Sequence, residues 1–110
     1  MDSDRELLEW AAKAAGIPYK ALPHSGSCWE KWDPLNDDGD ALRLAVDLDL
    51  AIIPYPIYNK QKHSVLVQIV QKKNLDEPRF EKMELHGDDP RAATRRAIVR
   101  AAAEIGKAMP

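Results

Sequence analysis

The sequence predicts an α+β domain in which an antiparallel β-meander lies between helical layers, an α-β-α sandwich with three main helices. Three observations lead there. Capped segments with helical apolar spacing stand at both ends of the chain. The middle alternates short β-rich stretches with polar turns. One of those stretches, Val65-Leu66-Val67-Gln68-Ile69-Val70, is apolar on both faces and calls for cover on two sides. The chain has 110 residues, which fits a single domain, 1–110, and leaves no room for two separate cores.

The first helix is expected over residues 3–15. Ser3 or Asp2 caps it, Glu6 follows Ser3 by three as in a capping box, and Gly16 and Pro18 stop it. Its apolar stripe, Leu7, Leu8, Ala11, Ala14 and Ala15, is thin, so it must pack closely on a neighbour. From Ile17 to Trp32 the punctuation by Pro18, Pro23, Gly26 and Ser27 breaks any helical period. Two extended pieces, Tyr19–Leu22 and Cys28–Trp32, are expected to pair as a hairpin. The loop Asp33–Gly39 then feeds a second helix, Asp38–Leu48, with an expected buried face of Ala41, Leu42, Ala45, Val46 and Leu48. Asp47 and Asp49 near its C-terminus oppose the helix dipole, which implies a cationic neighbour.

Three β-rich segments follow, Ala51–Tyr58, Ser64–Gln71 and Arg79–Leu85, divided by Asn59–His63 and Asn74–Pro78. Pro54 and Pro56 lack an N–H, so the first strand is expected at an edge or beside a bulge rather than in the middle of the sheet. Gly87-Asp88-Asp89-Pro90 supplies a cap and a first-position proline for a last helix, Arg91–Ala108, ending near Gly106 or Pro110. Its apolar face is Ala97, Ile98, Ala101, Ala102 and Ile105, small enough to sit close to a sheet.

Lys and Arg total 16 against 18 Asp and Glu, a formal charge of -2, so the basic excess that drives general nucleic-acid binding is absent. One cysteine, Cys28, excludes an intrachain disulfide and a cysteine-rich zinc framework. The acidic opening Met1–Glu6 lacks the pattern of an export signal, and no apolar run reaches the length of a membrane span. The expected location is therefore the cytoplasm, without membrane association.

Asp37, Asp38 and Asp40 with Asn36 resemble a divalent-cation cluster, but their spacing does not follow the alternate-position ligands of a calcium loop. Helix capping accounts for the same residues, and for Asp88 and Asp89. His24 and Cys28 supply two zinc ligands where three or four are needed, and no orienting acid completes a Cys–His pair. No metal, no cofactor and no catalytic residue is assigned; a hydrolase dependent on Cys28 or a metal is the weakest of the alternatives. The chain also lacks a phosphate-binding glycine loop, a dinucleotide fingerprint and a nucleophile elbow.

Arg91, Arg95, Arg96 and Arg100 form a basic run on the last helix, read either as a solvated face paired with the acidic 33–49 region or as anion-binding groups. Arg91 and Arg95 lie at the edge of the apolar stripe. Lys60, Lys62, Lys72 and Lys73 form a second basic patch around the meander turns. Five of the seven aromatics fall within Tyr19–Tyr58. Trp and Tyr join apolar area to a polar handle and suit pockets and interfaces. The candidate ligand-binding residues are Trp29, Trp32, Tyr55, Tyr58, Arg91 and Arg95.

The opening Leu7-Leu8-Glu9-Trp10-Ala11-Ala12-Lys13-Ala14-Ala15-Gly16, the block Trp32-Asp33-Pro34-Leu35-Asn36-Asp37-Asp38-Gly39-Asp40-Ala41-Leu42-Arg43-Leu44-Ala45, and the last helix from Gly87 to Gly106 together resemble the phage ABA-sandwich domain family, small proteins of tailed phages and prophages. The resemblance spans most of the chain, while Ala51–Leu85 departs from it freely. It implies a sheet between helical layers and brings no catalytic residues. It further implies a phage accessory product, a class that often disables host defence. The resulting expectation is a non-enzymatic protein that sequesters a small anionic, nucleotide-like signal in the host bacterial cytoplasm. The alternative is a protein-interaction module that blocks a host defence protein through the Ala51–Tyr58 edge. An exposed strand and an alanine-rich helix also admit a homodimer.

Overall fold

The computed structural model describes residues 3–27, 30–55, 64–69, 81–85 and 89–109, without the side chains of 54, 55, 64 and 81–85. Among them are three α-helices, α1 (Asp4–Ala15), α2 (Asp38–Asp47) and α3 (Pro90–Ala108), and three strands, β1 (Leu50–Tyr55), β2 (Ser64–Ile69) and β3 (Glu81–Leu85). The class is α+β, as the sequence predicts.

The caps act as their residues dictate. The Ser3 hydroxyl accepts from the Glu6 N–H at the start of α1, and Gly16 closes the helix at φ 73°, a left-handed conformation that suits glycine. Asp37 accepts from the Asp40 N–H at α2, and Asp89 accepts from the N–H groups of Arg91 and Ala92 at α3, where Pro90 stands in the first turn.

The strands form an antiparallel sheet in the order β1-β2-β3, with Pro54 opposite Val65 on the edge strand β1. The proline therefore sits where its missing N–H is tolerated. Val65, Val67 and Ile69 on one face of β2 join the main core with Ala97, Ile98 and Ala101 of α3 and Ala41, Leu44 and Ala45 of α2. Leu66, on the opposite face, is also buried, in keeping with a central strand covered on both sides. The helical cover seen among the described residues lies on the Val65–Val67–Ile69 face; a second helical layer is not among them.

α1 packs on α3, and the two run in the same direction. Asp4 Oδ1 lies 2.9 Å from Arg96 Nη2 near one end, and Lys13 Nζ donates to the Met109 carbonyl at 3.1 Å at the other. Between them Gly106 meets the Trp10 backbone carbonyl so closely that a Cβ would overlap it. Of the two stops the sequence offers, Gly106 and Pro110, the helix end lies nearer Pro110. The helix continues through Gly106 to Ala108, and the missing side chain permits the close crossing.

Three expectations are revised. The stretch after α1 forms two short 3-10 turns, Tyr19–Ala21 and Pro23–Ser25, in place of the first hairpin strand. Prolines 18 and 23 fix φ near helical values and remove ladder donors. One backbone bond, Trp32 N–H to the Ala21 carbonyl at 2.7 Å, ties the two segments together; Cys28 lies outside the described residues. In α1 the second buried alanine is Ala12, where it joins Leu8 and Leu22 in a small second core. In α2 the buried face is Ala41, Leu44 and Ala45, whereas Leu42 is 60% and Val46 66% exposed.

Candidate functional site

The loop before α2 is a dense hydrogen-bonded unit. Asp33 donates its N–H to Asp40 Oδ2 at 2.9 Å, its carbonyl accepts from the N–H groups of Asn36 and Asp37, and Pro34 is fully buried beneath it. Arg43 Nη2 holds the other oxygen of Asp40 at 2.7 Å. That hydrogen bond, with the nearby charges of Asp40, Asp37 and Asp47, raises the Arg43 guanidinium above its already high ordinary value. Asp49 adopts φ 54°, a left-handed turn that Asp tolerates better than most residues.

The rigid loop presents two acceptors to α3. Arg95 Nε donates to the Leu35 carbonyl at 2.8 Å and Nη1 to Asp38 Oδ1 at 2.6 Å. These contacts hold the N-terminal parts of α2 and α3 beside each other. The acid cluster of the sequence therefore divides its work: Asp37 caps α2, Asp40 braces the loop and Asp38 pairs with α3.

Beside this junction opens a cavity of about 320 Å³ between α2, the start of α3 and β1. Ala41, Leu42, Ile52 and Ile98 give it apolar walls, and Arg91, Arg95 and Asp38 are its charged residues. The Thr94 hydroxyl, also at the wall, donates to the Pro90 carbonyl at 2.8 Å. Arg91 is exposed, and its guanidinium has no partner among the described residues. A cavity of this size is at the small end of ligand pockets, which run from about 300 to 1,000 Å³. Its chemistry suits an anionic group joined to an apolar body.

Of the six residues singled out from sequence, Arg91 and Arg95 meet at this cavity. Trp32 does not line it: its side chain packs between the two core clusters, beside Leu35. Tyr55 ends β1, paired with Ser64, and its side chain is not described; Trp29 and Tyr58 lie outside the described residues. The turn lysines Lys60, Lys62, Lys72 and Lys73 also lie outside them. The basic run disperses, because Arg96 turns to Asp4 on α1. His24 Nε2 lies 3.1 Å from Glu9 Oε1 and its ring meets Tyr19 edge-on, which ties the turns to α1.

Sequence reasoning missed the apolar walls. Periodicity puts Leu42 on the buried face and leaves Ile52 undistinguished within its strand, although the acid Asp38, four residues before Leu42, marks that flank of α2 as open. Among the described residues no cluster of three or more His, Cys, Asp or Glu is placed to hold a metal, and no helix is long and apolar enough to cross a membrane. No family model matches the chain, and neither a curated protein nor a solved structure does. Fold and site together define an α+β domain with a half-open, apolar and cationic cavity between two helices and an edge strand.

Proposed function

We propose that this protein is a non-catalytic binding protein that takes up a small anionic molecule in the cavity between α2, α3 and β1. The observation that carries the reading is the meeting, in one concavity, of apolar walls with the Arg91 guanidinium, which has no partner among the described residues. Arg91 holds the anion, the Arg95–Asp38 pair fixes the wall, and Leu42, Ile52 and Ile98 cover the apolar body. The resemblance of its two long sequence blocks to the phage ABA-sandwich domain family adds the setting: a phage accessory product that sequesters a nucleotide-like host-defence signal in the bacterial cytoplasm. Trp32 serves the core.

Native mass spectrometry tests it on protein purified from bacterial cells with and without an activated phage-defence system, followed by denaturation and mass analysis of what is released. The proposal expects a stoichiometric small anion. Clean apoprotein under both conditions contradicts it.

A second reading is favoured by one observation, the exposure of Leu42 and Val46 one turn apart on α2 beside the edge strand β1. In that reading the protein blocks a host defence protein by direct binding. A host protein retained by wild type, lost with Val46→Asp and kept with Arg91→Gln, supports this second reading over the first.

A further inference from the structure

We propose that the cavity selects monoanions with an apolar body, a phosphodiester or a carboxylate, over neutral molecules and over polyanions. This rests on the cavity being a ligand site and adds a charge rule to it. The charged residues at the cavity are Arg91, Arg95 and Asp38. Arg95 and Asp38 offset each other through the 2.6 Å contact, and the Arg95 Nε is already committed to the Leu35 carbonyl. Among the described lining residues one positive charge remains, on Arg91.

The start of α3 adds no further anion donor from its first turn. Pro90 has no N–H, and the N–H groups of Arg91 and Ala92 both donate to Asp89 Oδ1, at 3.0 and 3.1 Å. The Thr94 hydroxyl proton is engaged by the Pro90 carbonyl. Ala41, Leu42, Ile52 and Ile98 offer a ligand no polar side-chain atoms.

A second negative charge on the ligand therefore finds no second free cation among the described residues of the cavity. It meets apolar walls and the field of the Asp38 and Asp89 carboxylates, where an uncompensated charge is costly. A neutral molecule gains the same apolar contacts and forgoes the charge-assisted hydrogen bonds of the guanidinium. The best match is one delocalised negative charge, presented to the planar fork of Arg91.

The test is isothermal titration calorimetry of the full chain at low salt against two series of fixed body and rising charge. One runs from adenosine through its cyclic monophosphate and its monophosphate to its triphosphate. The other runs from naphthalenemethanol through naphthoate to naphthyl phosphate. In at least one series the singly charged member is expected to bind at least about tenfold more tightly than the neutral one, with no gain on adding charge. Arg91→Gln lowers the monoanion to the affinity of the neutral member, and Arg91→Lys retains part of the difference. The series that responds tells a phosphodiester from a carboxylate.

Tightest binding by the most highly charged member, equal affinity across a series, or indifference to Arg91→Gln overturns the charge rule and leaves the cavity as a ligand site. Absence of binding in both series also overturns the rule. A small anion recovered in the native mass spectrum then still supports the binding protein.

Discussion

Arg95 has 16% of its side chain exposed and Asp38, its partner, 64%, and the difference decides what each is worth. An ion pair with one arm in water is weakly stabilising, so Asp38→Ala is expected to cost less than about 1 kcal/mol. Arg95→Ala also removes the bond to the Leu35 carbonyl and the buried stem, and is expected to cost about 1–3 kcal/mol. Urea denaturation of the two variants measures the asymmetry; equal losses contradict it. At Gly106 two effects oppose each other. Alanine in a helix interior gains up to about 1 kcal/mol over glycine. Here, though, its Cβ runs into the backbone carbonyl of Trp10, which no rotamer change relieves. The overlap wins, and Gly106→Ala is expected to destabilise by about 1–3 kcal/mol in thermal or chemical unfolding.

At the scale of the element, α2 separates what was legible from what was not. Its limits and caps follow from residue types: Asp37 takes the N-cap that its short acceptor side chain favours, and Leu48 ends the helix within a residue of expectation. Its orientation does not follow, because Ala41, Leu42, Leu44, Ala45, Val46 and Leu48 are apolar on two flanks at once. Packing chooses the flank of Leu44, which is buried to 1%, and leaves Leu42 and Val46 outside. Leu44→Ala is accordingly expected to cost about 2–5 kcal/mol, while Leu42→Ser and Val46→Ser stay within about 0.5 kcal/mol. Comparable losses at Leu42 and Leu44 contradict this orientation. Pro54 pointed to an edge or a bulge, and β1 lies at the edge of the described sheet; the two-sided burial of β2 was legible through the consecutive apolar residues Val65, Leu66 and Val67. The 3-10 turns were not, since short extended and short turning segments share the same Pro and Gly punctuation.

For the molecule as a whole, the first and last helices of the chain lie side by side, and the cavity opens where the second and third helices meet an edge strand. That Arg91 and Arg95 share a flank of α3, where both line the cavity, was legible from their spacing on a well-marked helix. The walls were not, since Leu42 and Ile52 come together only in the folded chain. Methyl-detected NMR titration with naphthoate and with cyclic adenosine monophosphate tests the central claim most directly. The account predicts saturable shifts for Ala41, Leu42, Ile52 and Ile98 with at least one of the two, weakened at least about tenfold in affinity by Arg91→Gln, with the methyls of Leu8 and Leu22 in the second core unmoved. Shifts centred on Leu8 and Leu22 contradict the site, and cavity shifts of unchanged affinity in Arg91→Gln contradict the role of Arg91.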